Sequence, residues 1–429
     1  MSRCRFFLVT LVLAFYSNIW SANHYLQLND AKTALTSLQK VEPNTLIDVC
    51  CDVNSPTFQW NIPADCVIRY SGGTLNLRSV NGKNTMIDAP ARQLFGSNTA
   101  ISGSWNVEKA YPEWFGGKGD DNTLCDQPIS KSFKLSPSEV HFSRGTYLVN
   151  STITTNGPDI YINRGATIKM RSSRVAVIKA DYTLASSIYT MQVMPRIHGG
   201  GCIDGNNVAT IGIVLRYGRC MLVEDLLIKN ITQYGLQAAG SDKDMSGYCH
   251  VYKCIFENES SNRDAIAINN NRTDCIYDDI NIVNFRIAVR HAGAGGKFTN
   301  VSAWLTDSSL WNGSVVFSCE ESDLTLYNCE ADTMQKLLKI GRGVNYFFAN
   351  IINCRAFKNN DIVPDRLARQ YPPLIIDKNG SQQTQIFING GAYWFDVPYN
   401  IIENLSSFDN IRINRYHRDQ IINHANYDR

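Results

Sequence analysis

From about residue 195 onward, apolar and polar positions alternate in short runs, and the same phrase keeps restarting. Its openings are "CMLVEDLLIKN" at 220, "CHVYKCIFEN" at 249, "CIYDDINIVN" at 275, "KFTNVSAWLTD" at 297, "DLTLYNCEAD" at 323 and "YFFANIINCRAF" at 346, spaced 29, 26, 22, 26 and 23 residues apart. "QIFINGGAYWFD" at 385 and "FDNIRINRYHRD" at 408 continue the series. A repeat of this size predicts a solenoid. Alternation of apolar residues within each phrase, with many β-branched side chains, predicts strands, and the units leave no room for an amphipathic helix. Coils of strand, turn, strand, turn stacked as a parallel β-helix satisfy both conditions.

Each unit carries a second apolar strand: "YGLQAA" (234–239), "DAIAINN" (264–270), "RIAVRH" (286–291), "SVVFSC" (314–319), "KLLKI" (336–340), "PLIID" (373–377), "NIIEN" (400–404) and "QIINH" (420–424). With apolar residues inward and interleaved or terminal positions outward, one outer ridge is expected to hold Asp264, Asn269, Arg290 and His291. Neighbouring strands lie ~4.8 Å apart, so side chains on such a ridge reach one ligand. Upstream, "VIRYSGGTLNL", "NTMIDAP" and "AISGSWNV" read as first coils or as a small preceding β-region, residues 23–109. The stretch from Gln127 to Leu135 is the one expected short helix, a cap for the end of the solenoid, since end coils would otherwise expose core.

Composition adds limits. Hydrophobic residues make up 44% of the 429 and charged ones 19%, enough for a large folded core. A net charge of +2 gives no general electrostatic reason to expect nucleic acid or an anionic membrane as partner. Arg3 and Arg5, the apolar run "FFLVTLVLAFY" (6–16) and "SA" (21–22) read as a secretory signal over residues 1–22. That run is too short to span a bilayer, so a secreted or periplasmic chain without stable membrane insertion is expected. Thirteen cysteines suggest disulfides, yet Cys220, Cys249 and Cys275 each open a similar phrase and read equally as stacked small hydrophobes. No C-x-x-C or His/Cys cluster of zinc-ligand spacing occurs, so no metal site is expected.

"EWFGGKGDD" (113–121), a short helix-like stretch and "VHFSRGTYLV" (140–149), then "IHGGGCIDGNN" (197–207), resemble successive signatures of the pectate-lyase-like superfamily. That superfamily comprises right-handed parallel β-helix proteins, including polygalacturonase-like enzymes and phage tail depolymerases. "PEWFG" and "SGGTLNL" are similar to segments of secreted β-helix proteins of glycan-degrading bacteria. The resemblance covers residues 110–429 and implies an all-β, right-handed parallel β-helix with a short N-terminal capping helix, acting on an acidic or complex polysaccharide. There are departures. Ser143 stands where the pattern has proline, and the polygalacturonase set N-T-D, D-D, G-H-G and R-I-K is missing. "RDAIAI" (263–268) resembles the D-D-x-I-x-I coil, with Asp264 at the second aspartate and Arg263 replacing the first.

Hydrolysis of a glycosidic bond uses two carboxyl groups ~5 to 9.5 Å apart. Asp264 is the candidate for one, and Asp278 or Asp279 in "YDDINI", or Asp244, for the other; a turn role is the competing reading for each. Elimination from a uronic acid instead uses a base and a cation beside the carboxylate, for which Arg290, His291 and Lys243 are candidates, with Ca²⁺ as a cofactor in that case alone. Asn269, Lys243, Asp244, Trp304 and Trp311 are candidate substrate contacts, the tryptophans because aromatic faces stack on sugar rings. Hydrolase stands ahead of lyase; a non-catalytic glycan-binding, surface or assembly protein is the alternative. A P-loop reading of "HGGGCIDGNN" lacks the lysine and helix it needs. That stretch reads as a corner of the scaffold, and sequons such as those at Asn230 and Asn300 as turn asparagines.

Overall fold

The computed structural model describes residues 22–181, 196–216, 221–239, 249–259, 261–320, 323–341, 346–378, 383–394, 400–403 and 410–414. The segment read as a secretory signal therefore lies outside the described residues, apart from Ala22. The chain divides into two compact units, Met1–Gly117 with Gln127–Val140, and Lys118–Asp126 with His141–Arg429.

In the first unit, strands His24–Leu28, Thr45–Val49, Val67–Tyr70 and Leu75–Asp88 pair in that order, all parallel. Val53–Asn61 and Ala100–Trp105 flank Leu75–Asp88, also parallel. Thr45–Val49 pairs with Val67–Tyr70 and Val53–Asn61 with Leu75–Asp88, each skipping the strand between, the stacking logic of coils. Gly73 shows why "SGGT" is needed there: a Cβ on it would fall 1.8 Å from the Cys51 carbonyl oxygen of the neighbouring coil. The core includes Phe95 stacked on Phe115, ring centres 5.4 Å apart. The helix expected from Gln127 is Asp126–Lys134.

The second unit is a parallel β-helix. The coil has three strands, one more than expected, because the opening phrase bends. "CMLVEDLLIKN" forms Met221–Glu224 and Leu227–Lys229, with Asp225 between them in the left-handed region (φ 54°). In the next coils Lys253, Asp279, Asn300, Asn328 and Asn353 take the same conformation at φ 50–56°. Asn and Asp tolerate it because their side chains bond locally. Here they bond to one another: Asn300 Nδ2 donates to Asp278 Oδ1 (3.3 Å), Asn328 to Asn300 (2.7 Å) and Asn353 to Asn328 (3.4 Å). The two strand segments of each bent phrase build one long parallel sheet.

The third strand of each coil builds a separate ten-stranded parallel sheet, running from Ile153–Thr155 through Tyr234–Ala239, Ile266–Asn270, Ile287–His291 and Val315–Cys319 to Asn400–Glu403. "HGGGCIDGNN" is a corner. Gly199 and Gly200 have φ of 122° and 82°, and the Asp204 carboxylate accepts from Asn206 N (2.8 Å) and Asn230 Nδ2 (3.1 Å). Cys249 and Cys275 are buried at the starts of adjacent coils, and no disulfide joins the described cysteines.

Candidate functional site

The ten-stranded sheet departs from strict alternation. In Tyr234–Ala239, Ile287–His291 and Lys336–Ile340 the first and fourth residues are half-exposed, while the second, third and fifth are buried. Lys336, a first-position residue, bonds to Asp377 at the fourth position of the next coil (2.6 Å), so both positions open on the same outer face. In-register pairing carries the fourth position through Gln237, Asn269, Arg290 and Ser318, and the first through Tyr234, Ile266, Ile287 and Val315. Three residues of strand separate these rows, ~10 Å. One row is apolar with a tyrosine at its end; the other is polar.

Asn269 is the anomaly of the polar row. It is only 1% exposed, yet its Oδ1 has no hydrogen-bond partner. A buried amide left without a partner costs about 1–3 kcal/mol, so native structures contain few of them. Asn271 Oδ1, two residues on, is also buried without a partner. Beside Asn269, Arg290 donates Nε to Glu320 Oε1 (2.9 Å) and a terminal nitrogen to Oε2 (2.6 Å), a two-pronged pair. The Glu320 carboxylate, helped by the nearby Tyr234 hydroxyl, holds the Arg290 guanidinium even more firmly protonated than usual.

The remaining expected site residues are scattered. His291 does not share the ridge with Arg290. The fifth position turns inward, so His291 is fully buried, edge-on to Phe298 at 5.6 Å, with Nδ1 3.0 Å from Asn270 Nδ2 and Nε2 3.0 Å from the Asp323 carbonyl. Burial lowers its pKa, favouring the neutral ring. Asp264 is exposed in the turn before Ile266–Asn270. Asp278 and Asp279 lie in Ile276–Val283 of the long sheet, at the left-handed bend. Asp264 thus lies in the turn before a strand of the ten-stranded sheet, and Asp278 and Asp279 lie within a strand of the long sheet.

Trp311 is also withdrawn from any ligand. It is fully buried, packs with Val363 and Ala368, and donates its indole N–H to the Tyr371 carbonyl (3.0 Å). Trp304 is half-buried on the long sheet, paired with Val283 and Asp332, away from the Asn269 row. Lys243 and Asp244 lie outside the described residues. Among the described residues, no group of three or more His, Cys, Asp or Glu is placed to hold a metal. Tyr234, Gln237 and Glu320 join Asn269 and Arg290 without having been singled out. The signal that finds them is the column read across coils at a fixed strand position.

No family model matches the chain, and no curated protein matches it significantly. The solved structures similar to it at low identity include these two. One is ORF18 of Geobacillus virus E2, at 14% identity and a TM-score of 0.49, covering 72% of this chain. The chain spans only 62% of the length of that protein. The other is a protein of Parabacteroides merdae, provisionally described as a glycosyl hydrolase, at 16% identity and a TM-score of 0.28, covering 52% of this chain and 94% of its own.

Proposed function

We propose that the outer face of the ten-stranded sheet, from Tyr234 to Glu320, binds a polysaccharide, and that this β-helix is a glycan-binding protein. The observation that carries the reading is the buried, partnerless amide oxygen of Asn269 within a polar row that runs beside an apolar one. A sugar ring offers matching chemistry, an apolar C–H face with hydroxyls at its edge. Amides of Asn and Gln both donate and accept, so they pair with hydroxyls in either direction. Neighbouring coils repeat at ~4.8 Å, a spacing suited to successive units of an extended chain.

The geometry supports cleavage less well. The arginine expected to clamp a uronate is engaged by Glu320. The test is affinity electrophoresis of the full chain in gels cast with a broad set of plant, bacterial and animal polysaccharides, with reducing ends and unsaturated uronates assayed in parallel. At least one polysaccharide should retard the protein without either product, and Tyr234→Ala should weaken retardation about tenfold while the protein stays folded by thermal melting. Release of reducing ends or unsaturated products would replace this reading with an enzymatic one. Absence of retardation and of products across the whole set would refute it.

A further inference from the structure

We infer that the Asn269 face selects uncharged stretches of glycan and excludes uronates, with Glu320 as the residue that sets this choice; the inference rests on the glycan-binding reading above. Between Tyr234 and Glu320 the first-position row is Tyr234, Ile266, Ile287 and Val315 and the fourth-position row Gln237, Asn269, Arg290 and Ser318; Tyr234, Gln237, Ile287, Arg290 and Ser318 are half-exposed, while Ile266, Asn269 and Val315 are buried. Arg290 is the one cation among these residues, and both prongs of its guanidinium are turned to the Glu320 carboxylate. Glu320 follows directly on the Val315–Cys319 strand, its N–H bonded to the His291 carbonyl (2.8 Å), so the backbone fixes the carboxylate at the end of the row.

A fork–fork arginine–carboxylate pair uses the same donor geometry that a uronate carboxylate would need. A uronate arriving at Arg290 must therefore displace Glu320 and then sit beside its negative charge. A neutral sugar meets no such conflict. Its hydroxyls can donate to the outer lone pairs of Glu320 and accept from the amide hydrogens of Gln237, leaving the ion pair in place. The same pattern holds next along the sheet, where Lys336 is paired with Asp377. Between Tyr234 and Ser318 the two rows thus present hydrogen-bonding groups with their one cation already matched; Lys339 follows Ser318 in the fourth-position row.

The test uses matched ligands that differ in charge alone. Polygalacturonate, alginate and hyaluronan are each presented to the full chain in native and in carboxyl-reduced form, and retardation is compared at one low ionic strength. For at least one backbone the reduced form should bind about tenfold more tightly than the native one. Glu320→Gln, which keeps the side-chain shape and frees Arg290, should narrow that ratio by about tenfold through a gain for the native uronate, with the gain lost at high salt as expected for an exposed charge contact. Wild-type protein that binds native uronates as well as or better than their reduced forms, and loses them on Arg290→Gln, overturns the inference while leaving the glycan-binding face intact. An unchanged ratio in Glu320→Gln also overturns it. If none of the six ligands, and none of the wider set above, is retained, the glycan-binding reading itself fails.

Discussion

Asparagine serves two regions of the β-helix in opposite ways. At the bend of the long sheet, Asn300, Asn328 and Asn353 occupy the left-handed region and hand their amides from coil to coil, ending on Asp278. On the ten-stranded sheet, Asn269 lies in a regular strand, is more deeply buried than any of these, and its Oδ1 has no hydrogen-bond partner. The ladder is a scaffold device: each side chain meets the hydrogen-bonding need of the next, and the backbone conformation favours Asn or Asp there. The isolated amide has no such structural return. A polar group retained where an apolar one would fit better points to a requirement outside the fold.

Several perturbations would break or sharpen that contrast. The largest effect is expected beneath the site, at His291. His291→Ala should remove the packing on Phe298 and one of the two bonds of Asn270 Nδ2, costing about 3 kcal/mol in urea unfolding if the domain unfolds cooperatively. Because burial depresses the His291 pKa below the unfolded value of ~6.5, the unfolded chain binds the extra proton first. Stability from this group is therefore intact above pH ~6.5 and falls as the pH drops from there toward the folded pKa. Wild-type melting temperature should fall over that window more steeply than that of His291→Gln; equal slopes would mean that His291 is not held neutral.

Next in size is the ladder. Asn328→Ala removes two side-chain bonds and forces alanine into φ 53°, a loss of about 2 kcal/mol in the same assay, with glycan retardation unchanged. Loss of retardation there would blur the division between scaffold and site. The smallest effect is expected for the exposed pair of Arg355 and Glu330 (3.3 Å) on the long sheet. Arg355→Gln should change stability by less than about 0.5 kcal/mol, which also calibrates how little an ion pair of this kind contributes.

Much of the fold was legible because coil stacking writes itself into the sequence. The strand "KLLKI" matches Lys336–Ile340 to the residue, and "YGLQAA" matches Tyr234–Ala239. The extra strand in each coil was not legible from alternation alone, since the bend at Asp225 and its counterparts interrupts the backbone while leaving the apolar pattern continuous. The site was read less well. Arg290 and Asn269 do share an outer row, but His291 was placed beside them on the premise that strand ends face outward. Reading down the fifth position instead gives Leu215, Ala238, Asn270, His291, Cys319 and Ile340, a mostly apolar column that belongs to the core. Asp264 and Asp278 or Asp279 stand on neighbouring coils, as expected of a pair, but Asp264 lies in the turn before Ile266–Asn270 and the other two at the bend of Ile276–Val283.

The central claim is that Asn269 is kept for a ligand and not for the fold, and Asn269→Leu tests it most directly when stability and glycan retardation are measured on the same sample. Replacing an unsatisfied buried amide with an apolar side chain of similar size should leave stability unchanged or raise it by up to about 1 kcal/mol, while retardation by the polysaccharide that binds wild type drops at least about tenfold. A destabilised protein that still binds as wild type does would contradict the account and return Asn269 to the scaffold.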